Sequence, residues 1–249
     1  MDNDAYTNYA CPICSGEGIF WHKIDIHELN RCTACGFVYV RNILSVSELA
    51  NMYEHAYKNN GMYRETIISR GRKLKYRALG RLIQFIARLS KIKLLDIGCG
   101  EGRFLEALSH NKHFEAEGID YSQDTVEYAR SKGLKVIQSS LEDIQFPPET
   151  FDFMTAFHVI EHVHRLDNTI QEIRRVMKKG GHIWIVVPCI SHIKARVAGK
   201  KWTYLHPPTH YWFFTTNAMK LLLKKHGFIV KIASCISNRD HLTVLAKKA

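Results

Sequence analysis

A buried strand that ends in three alternating glycines is the feature that most constrains the fold of this chain. Residues 94–102 read Leu-Leu-Asp-Ile-Gly-Cys-Gly-Glu-Gly, and a helical pattern with Phe104, Leu105 and Leu108 on one face follows at once. Glycines let the backbone turn tightly against a ligand, and the start of a helix supplies unpaired N–H donors. A dinucleotide fingerprint needs its third glycine where this chain has Arg103. The spacing therefore disfavours NAD binding.

Strands alternate with helical patterns through the rest of the chain. Strands are predicted at residues 114–120, 134–139, 151–159 and 182–187, followed by two antiparallel closing strands at 229–233 and 241–246. Such alternation predicts an α/β fold with a doubly wound, mostly parallel, seven-stranded sheet. Ligands of such sheets bind beyond the carboxyl ends of the strands, where the glycine turn and Asp120 both fall. Ser122 is predicted to cap the next helix, and Gly180-Gly181 to end the helix after the fourth strand.

The pattern Asp96-x-Gly98-x-Gly100-x-Gly102 resembles motif I of the class I S-adenosylmethionine methyltransferases. The resemblance covers roughly residues 90–249, including the segment from Leu141 to Phe146 and the late segment from His206 to Phe228. It implies a Rossmann-like methyltransferase fold, with the glycine turn under the methionine part of the cofactor and Asp120 on its ribose. The cofactor-binding residues implied are Asp96, Gly98, Gly100, Gly102, Asp120, Tyr121, Ser140, Leu141 and His158.

The position that relatives use to recognise the adenine amino group departs from the family pattern. Relatives usually carry an acid where this chain has Ser140. A hydroxyl accepts a hydrogen bond more weakly than a carboxylate does. Adenine recognition is therefore expected to depend on Leu141 and its main-chain N–H.

Four cysteines near the start of the chain have the spacing of a zinc site. Cys11, Cys14, Cys32 and Cys35 follow the pattern C-x2-C-x17-C-x2-C, which predicts two knuckles sharing one tetrahedral Zn²⁺. Four thiolates leave no open position, so such a site is structural. Two disulfides or four inert thiols are the alternatives, and disulfides are disfavoured because no signal peptide is recognisable and a cytoplasmic location is expected. The remaining cysteines are expected to serve in packing: Cys99, Cys189 and Cys235.

Charge is distributed unevenly along the chain, whose net charge is +11. Residues 63–93 hold 10 Lys and Arg against 1 acid, and residues 191–249 hold 11 against 1, whereas residues 1–62 are acidic. The segment 64–93 predicts an amphipathic helix, which is either a core-packing connector or a surface for phosphates. Both basic segments, 64–93 and 191–249, are candidate surfaces for RNA or an anionic membrane. No stretch is apolar enough for a membrane span. Tyrosines that precede this helix are candidates for touching the cofactor: Tyr53, Tyr57 and Tyr63.

These patterns together predict three units. A zinc ribbon is expected at residues 1–45, a helical connector that also serves as a cofactor lid at 46–90, and the methyltransferase domain at 91–249.

A cluster of His158, Glu161 and His162 follows the fourth strand of the domain. As H-x-x-E-H it matches the inverted zinc-protease motif, but that motif lies on one helix, whereas here the first histidine ends a strand. The Glu161-His162 pair resembles that of quinone-biosynthesis O-methyltransferases. A similar pattern with a later histidine, here His210, binds a divalent ion in small-RNA terminal 2′-O-methyltransferases. The pair could cap a loop, bind a metal or transfer a proton, with His162 the first choice of base and His158 the second.

The function predicted is methyl transfer from S-adenosylmethionine to a small-molecule acceptor of phenolic, sugar or natural-product type. The alternatives are an RNA methyltransferase, of which the metal-dependent 2′-O type is one form, and a non-catalytic module that keeps the cofactor fold. The acidic ribbon weighs against RNA.

Overall fold

The computed structural model describes residues 10–41, 70–207, 209–235 and 240–249. Tyr53, Tyr57, Tyr63 and the first part of the predicted connector lie outside these ranges. The described residues form a four-stranded and a seven-stranded sheet. The strands are β1 (Gly18–Ile24), β2 (His27–Cys32), β3 (Val38–Val40), β4 (Ile92–Ile97), β5 (Phe114–Asp120), β6 (Val136–Gln138), β7 (Phe151–Phe157), β8 (Met177–Pro188), β9 (Trp212–Phe213), β10 (Phe228–Ser234) and β11 (His241–Lys248).

Helices connect the strands of the larger sheet. They are α1 (Arg70–Ala87), α2 (Arg103–Leu108), α3 (Gln123–Ser131), α4 (Leu166–Val176), α5 (Ile193–Ala198) and α6 (Thr216–Lys225). The predicted amphipathic helix is observed as α1, which packs Ile83 into the core and ends before Arg88, whose φ is 53°. Among the described residues, no helix has both the length and the apolar character needed to cross a bilayer.

The larger sheet has the order β10-β11-β8-β7-β4-β5-β6, which confirms the predicted α/β fold. Strands β4 to β8 run parallel, and β11 pairs antiparallel with both β8 and β10. From β4 the chain builds first on one side through β5 and then on the other through β7. The carboxyl ends of β4 and β7 therefore form the switch point at which such sheets bind ligands.

The smaller sheet combines the N-terminal ribbon with a late segment of the chain. Its order is β1-β2-β3-β9, and β9 pairs with β3 through Val38–Phe213 and Tyr39–Trp212. Buried residues of the ribbon, such as Phe37 and Leu29, belong to the same apolar core as β8 and α6. The ribbon therefore packs firmly on the larger sheet.

Several predicted boundaries differ from the structure. Helix α4 ends at Val176, and Gly180-Gly181 lies within β8 rather than at the helix end. The register of β8 against β7 shifts there, since Phe151 pairs with Met177 but Phe153 with His182. The glycine pair thus forms a bulge, where a Cβ on Gly181 would lie 2.7 Å from Met177 Cγ. Strands β6 and β7 are also shorter than predicted.

The expectation that Cys189 and Cys235 serve only in packing is wrong, because they form a disulfide. Cys189 follows β8 and Cys235 follows β10, which run in the same direction on either side of β11. Both strands end at the same edge, which brings the two Cα atoms to 6.5 Å despite a sequence separation of 46. Cys99 is free, and burial raises the pKa of its thiol.

Candidate functional site

The glycine turn after β4 is closely packed at two glycines and open at the third. Gly98, Gly100 and Gly102 have φ values of 65°, 53° and 70°, which side chains disfavour. A Cβ on Gly98 would lie 2.4 Å from Val159 Cγ2, and one on Gly102 2.5 Å from Leu134 Cδ1. A Cβ on Gly100 would meet nothing within 4 Å. The turn therefore offers bare backbone beside open space.

Asp120, at the end of β5, is bonded to this turn. Its Oδ2 accepts a hydrogen bond of 2.7 Å from the Gly100 N–H. Its Oδ1 accepts bonds from Ser122 N at 3.0 Å and Thr125 Oγ1 at 3.2 Å. Ser122 occupies the predicted N-cap position of α3, but its side chain makes no cap hydrogen bond. A carboxylate oxygen has two lone pairs, so Oδ2 keeps one for a ligand hydroxyl.

Asp96 lies inside β4 and is buried. Its Oδ1 accepts a bond of 2.6 Å from Thr155 Oγ1 on the neighbouring strand β7. Burial raises the pKa of this carboxyl to about 7, against the opposing effect of the Thr155 bond, and nearby Asp120 adds to the rise. The charged form of Asp96 is therefore costly until a cation pairs with it.

The predicted adenine side contains an acid that sequence reasoning missed. Ser140 Oγ donates a bond of 2.6 Å to Asp143 Oδ2 and accepts one from the Asp143 N–H. A carboxylate is thus present three residues after the position where relatives carry one. Leu141 is buried, whereas the Tyr121 side chain is 71% exposed. The signal was the short spacing from Ser140 to Asp143, which is typical of a side chain capping a turn.

His158 directly follows β7 in a left-handed backbone conformation, with φ 57°. This conformation explains why β7 ends before it. Its Nδ1 lies 3.3 Å from Glu161 Oε1, and its ring is 4.4 Å from that of His241. Residues 159–162 form a turn rather than a helix, so the arrangement of the inverted zinc-protease motif is absent there. Because Val159 contacts Gly98, this turn lies against the glycine turn.

His162 is held in a defined tautomer. Its Nδ1 lies 2.6 Å from the Thr209 carbonyl oxygen. A carbonyl only accepts hydrogen bonds, so Nδ1 carries the proton and Nε2 has a lone pair. The His162 side chain is 34% exposed, which leaves it accessible. The arrangement suits a proton acceptor or a metal ligand.

Glu161 is a buried carboxylate beside two imidazoles. Its side chain is 1% exposed, and its Oε1 lies 4.0 Å from His162 Nε2. Its Oε2 is buried without a hydrogen-bond partner among the residues that the structure describes. An unpaired buried carboxylate oxygen is costly, which points to a partner beyond the described residues, such as a bound ligand.

His210 joins Glu161 and His162 in a cluster whose candidate ligand atoms all lie within 4.8 Å of one another. Its Nδ1 donates to the Tyr204 carbonyl at 2.7 Å, which again leaves Nε2 with a lone pair. Burial lowers the pKa of His210 to about 4, and the neighbouring His162 adds to that effect. The ring therefore stays neutral at physiological pH.

Further rings line the same region. Tyr204 lies parallel to His210 at 6.3 Å and donates or accepts a bond of 2.9 Å with His241 Nε2. Together with His158 and His162 they form a continuous set of aromatic side chains beside the glycine turn. Flat rings of this kind pack well against a planar organic acceptor.

The four ribbon cysteines converge on one point. Their sulfur atoms lie within 4.8 Å of one another, with Cys11 Sγ 3.7 Å from Cys35 Sγ and Cys14 Sγ 3.5 Å from Cys32 Sγ. None of them is in a disulfide. Tetrahedral Zn²⁺ with Zn–S bonds of about 2.3 Å separates its sulfurs by about 3.8 Å, which is close to these distances.

Hydrogen bonding within the ribbon favours a thiolate at Cys11. A bond from Cys35 lowers the pKa of the Cys11 thiol to about 5, whereas the shared proton raises the pKa of Cys35. The Cys35 N–H also donates to Cys32 Sγ at 3.4 Å. A metal takes thiolates in preference to thiols, so the donor set fits zinc.

Parts of the chain are similar in sequence to known methyltransferases. Residues 70–231 match a family model described as a methyltransferase domain. Probable tRNA methyltransferase 9B from Bos taurus is 33% identical over 118 residues, covering 46% of this chain and 25% of that protein. Ubiquinone biosynthesis O-methyltransferase from Vibrio cholerae is 30% identical over 99 residues, covering 37% of this chain and 40% of that protein. The chain thus spans only a quarter to about half of the curated relatives it matches.

A solved structure shares the fold over a larger part of the chain. The PH0226 protein from Pyrococcus horikoshii aligns with a TM-score of 0.60 at 20% identity, covering 78% of this chain and 99% of that one.

Proposed function

The chain belongs to the methyltransferase-domain family whose model matches residues 70–231, and from this premise we propose that it is an S-adenosylmethionine-dependent methyltransferase acting on a small-molecule acceptor. The observation that carries the proposal is the bare backbone at Gly100, which faces open space and is hydrogen-bonded to Asp120. When bound, S-adenosylmethionine supplies an activated methyl group on a sulfonium sulfur.

The residues at the carboxyl edge of β4 and β5 fit that cofactor. The open side of Gly100 admits a ligand, which a Cβ would obstruct. The free lone pair of Asp120 Oδ2 suits a ribose hydroxyl, and Asp96 suits an ammonium group. On the adenine side, Asp143 adds a carboxylate to Ser140 and Leu141. The other proposed contacts are Gly98, Gly102, Tyr121 and His158.

His162 is proposed as the base for a hydroxyl acceptor. The Thr209 carbonyl fixes its proton on Nδ1, so Nε2 is free to take the proton that the acceptor loses. Glu161, whose carboxylate lies against the His162 ring, stabilises the imidazolium that forms. His158 is the second candidate, and its bond to Glu161 makes it less available.

The contiguous set of rings supports a planar small molecule as acceptor. Tyr204 lies parallel to His210 and edge to face with His241, and His210 lies edge to face with His162. The named relatives point both ways, since one is a ubiquinone-biosynthesis enzyme and the other a probable tRNA methyltransferase.

A tritium-transfer assay separates these acceptor classes. Purified protein is incubated with S-adenosyl-[methyl-³H]methionine and either the small-metabolite fraction or the total RNA of cells. We expect tritium in the metabolite fraction and a loss of transfer in the Asp120→Ala variant. Labelling of RNA alone would overturn the small-molecule assignment, and labelling of neither fraction together with no cofactor binding would overturn the methyltransferase assignment.

A second candidate is metal-assisted methylation of vicinal hydroxyls, as at an RNA end. It is favoured by the convergence of Glu161, His162 and His210 and by the unpaired Glu161 Oε2. Two imidazoles and a carboxylate suit a borderline divalent metal better than Mg²⁺. This candidate would be favoured if added Mn²⁺ or Co²⁺ increases methyl transfer by the wild-type protein but does not increase transfer by His210→Ala.

We further propose that residues 1–45 form a structural zinc ribbon, residues 46–90 a helical connector and cofactor lid, and residues 91–249 the methyltransferase domain. The support for zinc is the convergence of four cysteine sulfurs that form no disulfide.

The outward face of α1 is proposed to contact an anionic lipid surface. Leu74, Leu82 and Phe85 are 68%, 43% and 71% exposed, and Arg77 and Arg81 lie beside them. At about 100° per residue these apolar side chains share one stripe of the helix. Exposed apolar side chains flanked by cations suit a lipid headgroup layer better than RNA. Phe85→Glu should reduce cosedimentation with phosphatidylglycerol vesicles, whereas binding to RNA alone would contradict the proposal.

A further inference from the structure

Residues 209–215, a late segment of the chain, connect the ribbon with the proposed methyl-transfer site. We propose that the ribbon is a positioning element for Glu161 and His162, and that Trp212 is the positioning residue through which it acts. The inference rests on the proposed function for its catalytic consequence, while the positioning itself can be measured without turnover.

On the ribbon side, residues 211–215 are bonded and packed at buried positions. The Val40 N–H donates to the Tyr211 carbonyl at 3.0 Å, and Thr215 Oγ1 donates to the Cys35 carbonyl at 2.9 Å. Phe37 is fully buried and stacks on Trp212 at 6.0 Å with an interplanar angle of 12°. The ribbon therefore fixes both the backbone and the ring of Trp212.

On the site side, the same segment holds the turn that follows β7. The Tyr211 N–H donates to the Glu161 carbonyl at 2.9 Å, and Trp212 Nε1 donates to the Val163 carbonyl at 2.6 Å. The two bonds lie on either side of His162. His162 Nδ1 in turn donates to the Thr209 carbonyl, which belongs to the same segment.

These contacts determine the chemistry of His162 as well as its place. The Thr209 carbonyl selects the tautomer whose Nε2 has a lone pair, so a shift of residues 209–212 would weaken that selection. Proton transfer needs close approach of the two heavy atoms, and misplacement by about 1 Å can cost about a hundredfold in rate. The cofactor contacts are proposed at Gly100, in the turn after β4, and at Asp120 in β5, and neither strand pairs with a ribbon strand in either sheet.

Trp212→Phe tests the inference because it keeps an aromatic ring against Phe37 but removes the Nε1 donor to Val163. We expect kcat to fall about tenfold, with the Kd for S-adenosylmethionine unchanged within twofold. In ¹⁵N NMR spectra the His162 ring should lose its preference for the Nδ1-protonated tautomer. Trp184→Phe is the matched control, since Trp184 lies in β8 and packs with the core around α2.

A second variant, Thr215→Val, removes the bond to the Cys35 carbonyl together with the N-cap bond that Thr215 Oγ1 accepts from the Ala218 N–H, and it should shift the same His162 signals to a smaller extent. The inference is overturned if Trp212→Phe and Thr215→Val both leave the His162 signals and kcat as in wild type, or if Trp184→Phe alters them equally. If the wild-type protein transfers no methyl group, the proposed function fails, while the NMR comparison still decides the positioning claim.

Discussion

The Asp120 carboxylate accepts a hydrogen bond of 2.7 Å from the Gly100 main-chain amide. This bond joins the ends of two parallel strands, β4 and β5, across the turn where the backbone is bare. It orients an acid toward the space that Gly100 leaves open, and the proposed cofactor site depends on it.

Gly100→Ala should weaken S-adenosylmethionine binding at least about tenfold, because the added methyl group would occupy the space proposed for the cofactor. Gly133→Ala is a matched control, since Gly133 also has a positive φ (75° against 53°) and an open Cβ position. The backbone strain of about 1 kcal/mol should be similar in both variants. Calorimetric titration measures both affinities, and equal binding by the two variants would count against the site.

Cofactor affinity should depend on pH through Asp96. Its pKa in the folded protein is raised to about 7, so the carboxyl is largely protonated at pH 5–6 and pairs poorly with an ammonium group. Affinity should therefore fall by up to about tenfold per unit as pH decreases below 7, and level off above it. Asp96→Asn should bind weakly with no such slope. A wild-type affinity that is constant from pH 5.5 to 8 would exclude this role for Asp96.

The raised pKa of Asp96 also predicts that the stability of the ligand-free protein changes with pH in the opposite direction to cofactor affinity. Because the folded state binds the Asp96 proton more tightly than the unfolded state, the ligand-free protein should lose stability as pH rises from about 4 to 7. Urea unfolding of the wild-type protein and of Asp96→Asn, at pH 4 and pH 7, measures the change in unfolding free energy between the two pH values. The contribution from Asp96 should be absent in the variant.

His162→Ala should lower turnover about a hundredfold and leave cofactor affinity unchanged, since only the proton acceptor is lost. His113→Ala is the control, because His113 also places Nδ1 on a main-chain carbonyl, that of Ser90 at 2.8 Å, but precedes β5 at the opposite edge of the sheet. Single-turnover rates would distinguish the two. Undiminished turnover in His162→Ala would remove the proposed base.

The ribbon should contain one zinc ion per chain. Cys32→Ser should abolish zinc binding and lower Tm by about 10 °C, because so small a module depends on its metal. This shift corresponds to a loss of about 3 kcal/mol in the free energy of unfolding. Cys99→Ser, a free cysteine outside the ribbon, should retain the metal. Elemental analysis measures the zinc content of each protein. A wild-type protein whose Tm is the same with and without the metal would refute the prediction.

Local patterns predicted much of the fold. The alternation of apolar residues gave β5 its observed bounds, and the glycine spacing placed the turn, since both depend on neighbours in sequence. The cysteine spacing likewise predicted a cluster that the structure brings together.

Long-range relationships escaped prediction. The pairing of β3 with β9 and the disulfide between Cys189 and Cys235 join segments whose proximity is decided by the topology of the sheets. The Gly180-Gly181 bulge was mistaken for a helix end because a glycine pair signals either feature. Asp143, by contrast, was missed although its three-residue spacing from Ser140 is local and typical of a side chain capping a turn.

A crystal structure with S-adenosylhomocysteine would locate the cofactor site. We expect the ligand to lie against the Gly100 backbone, with its ribose on Asp120 and its amino group toward Asp96. Density for the ligand elsewhere on the molecule, with the edge of β4 and β5 filled by protein side chains, would contradict it.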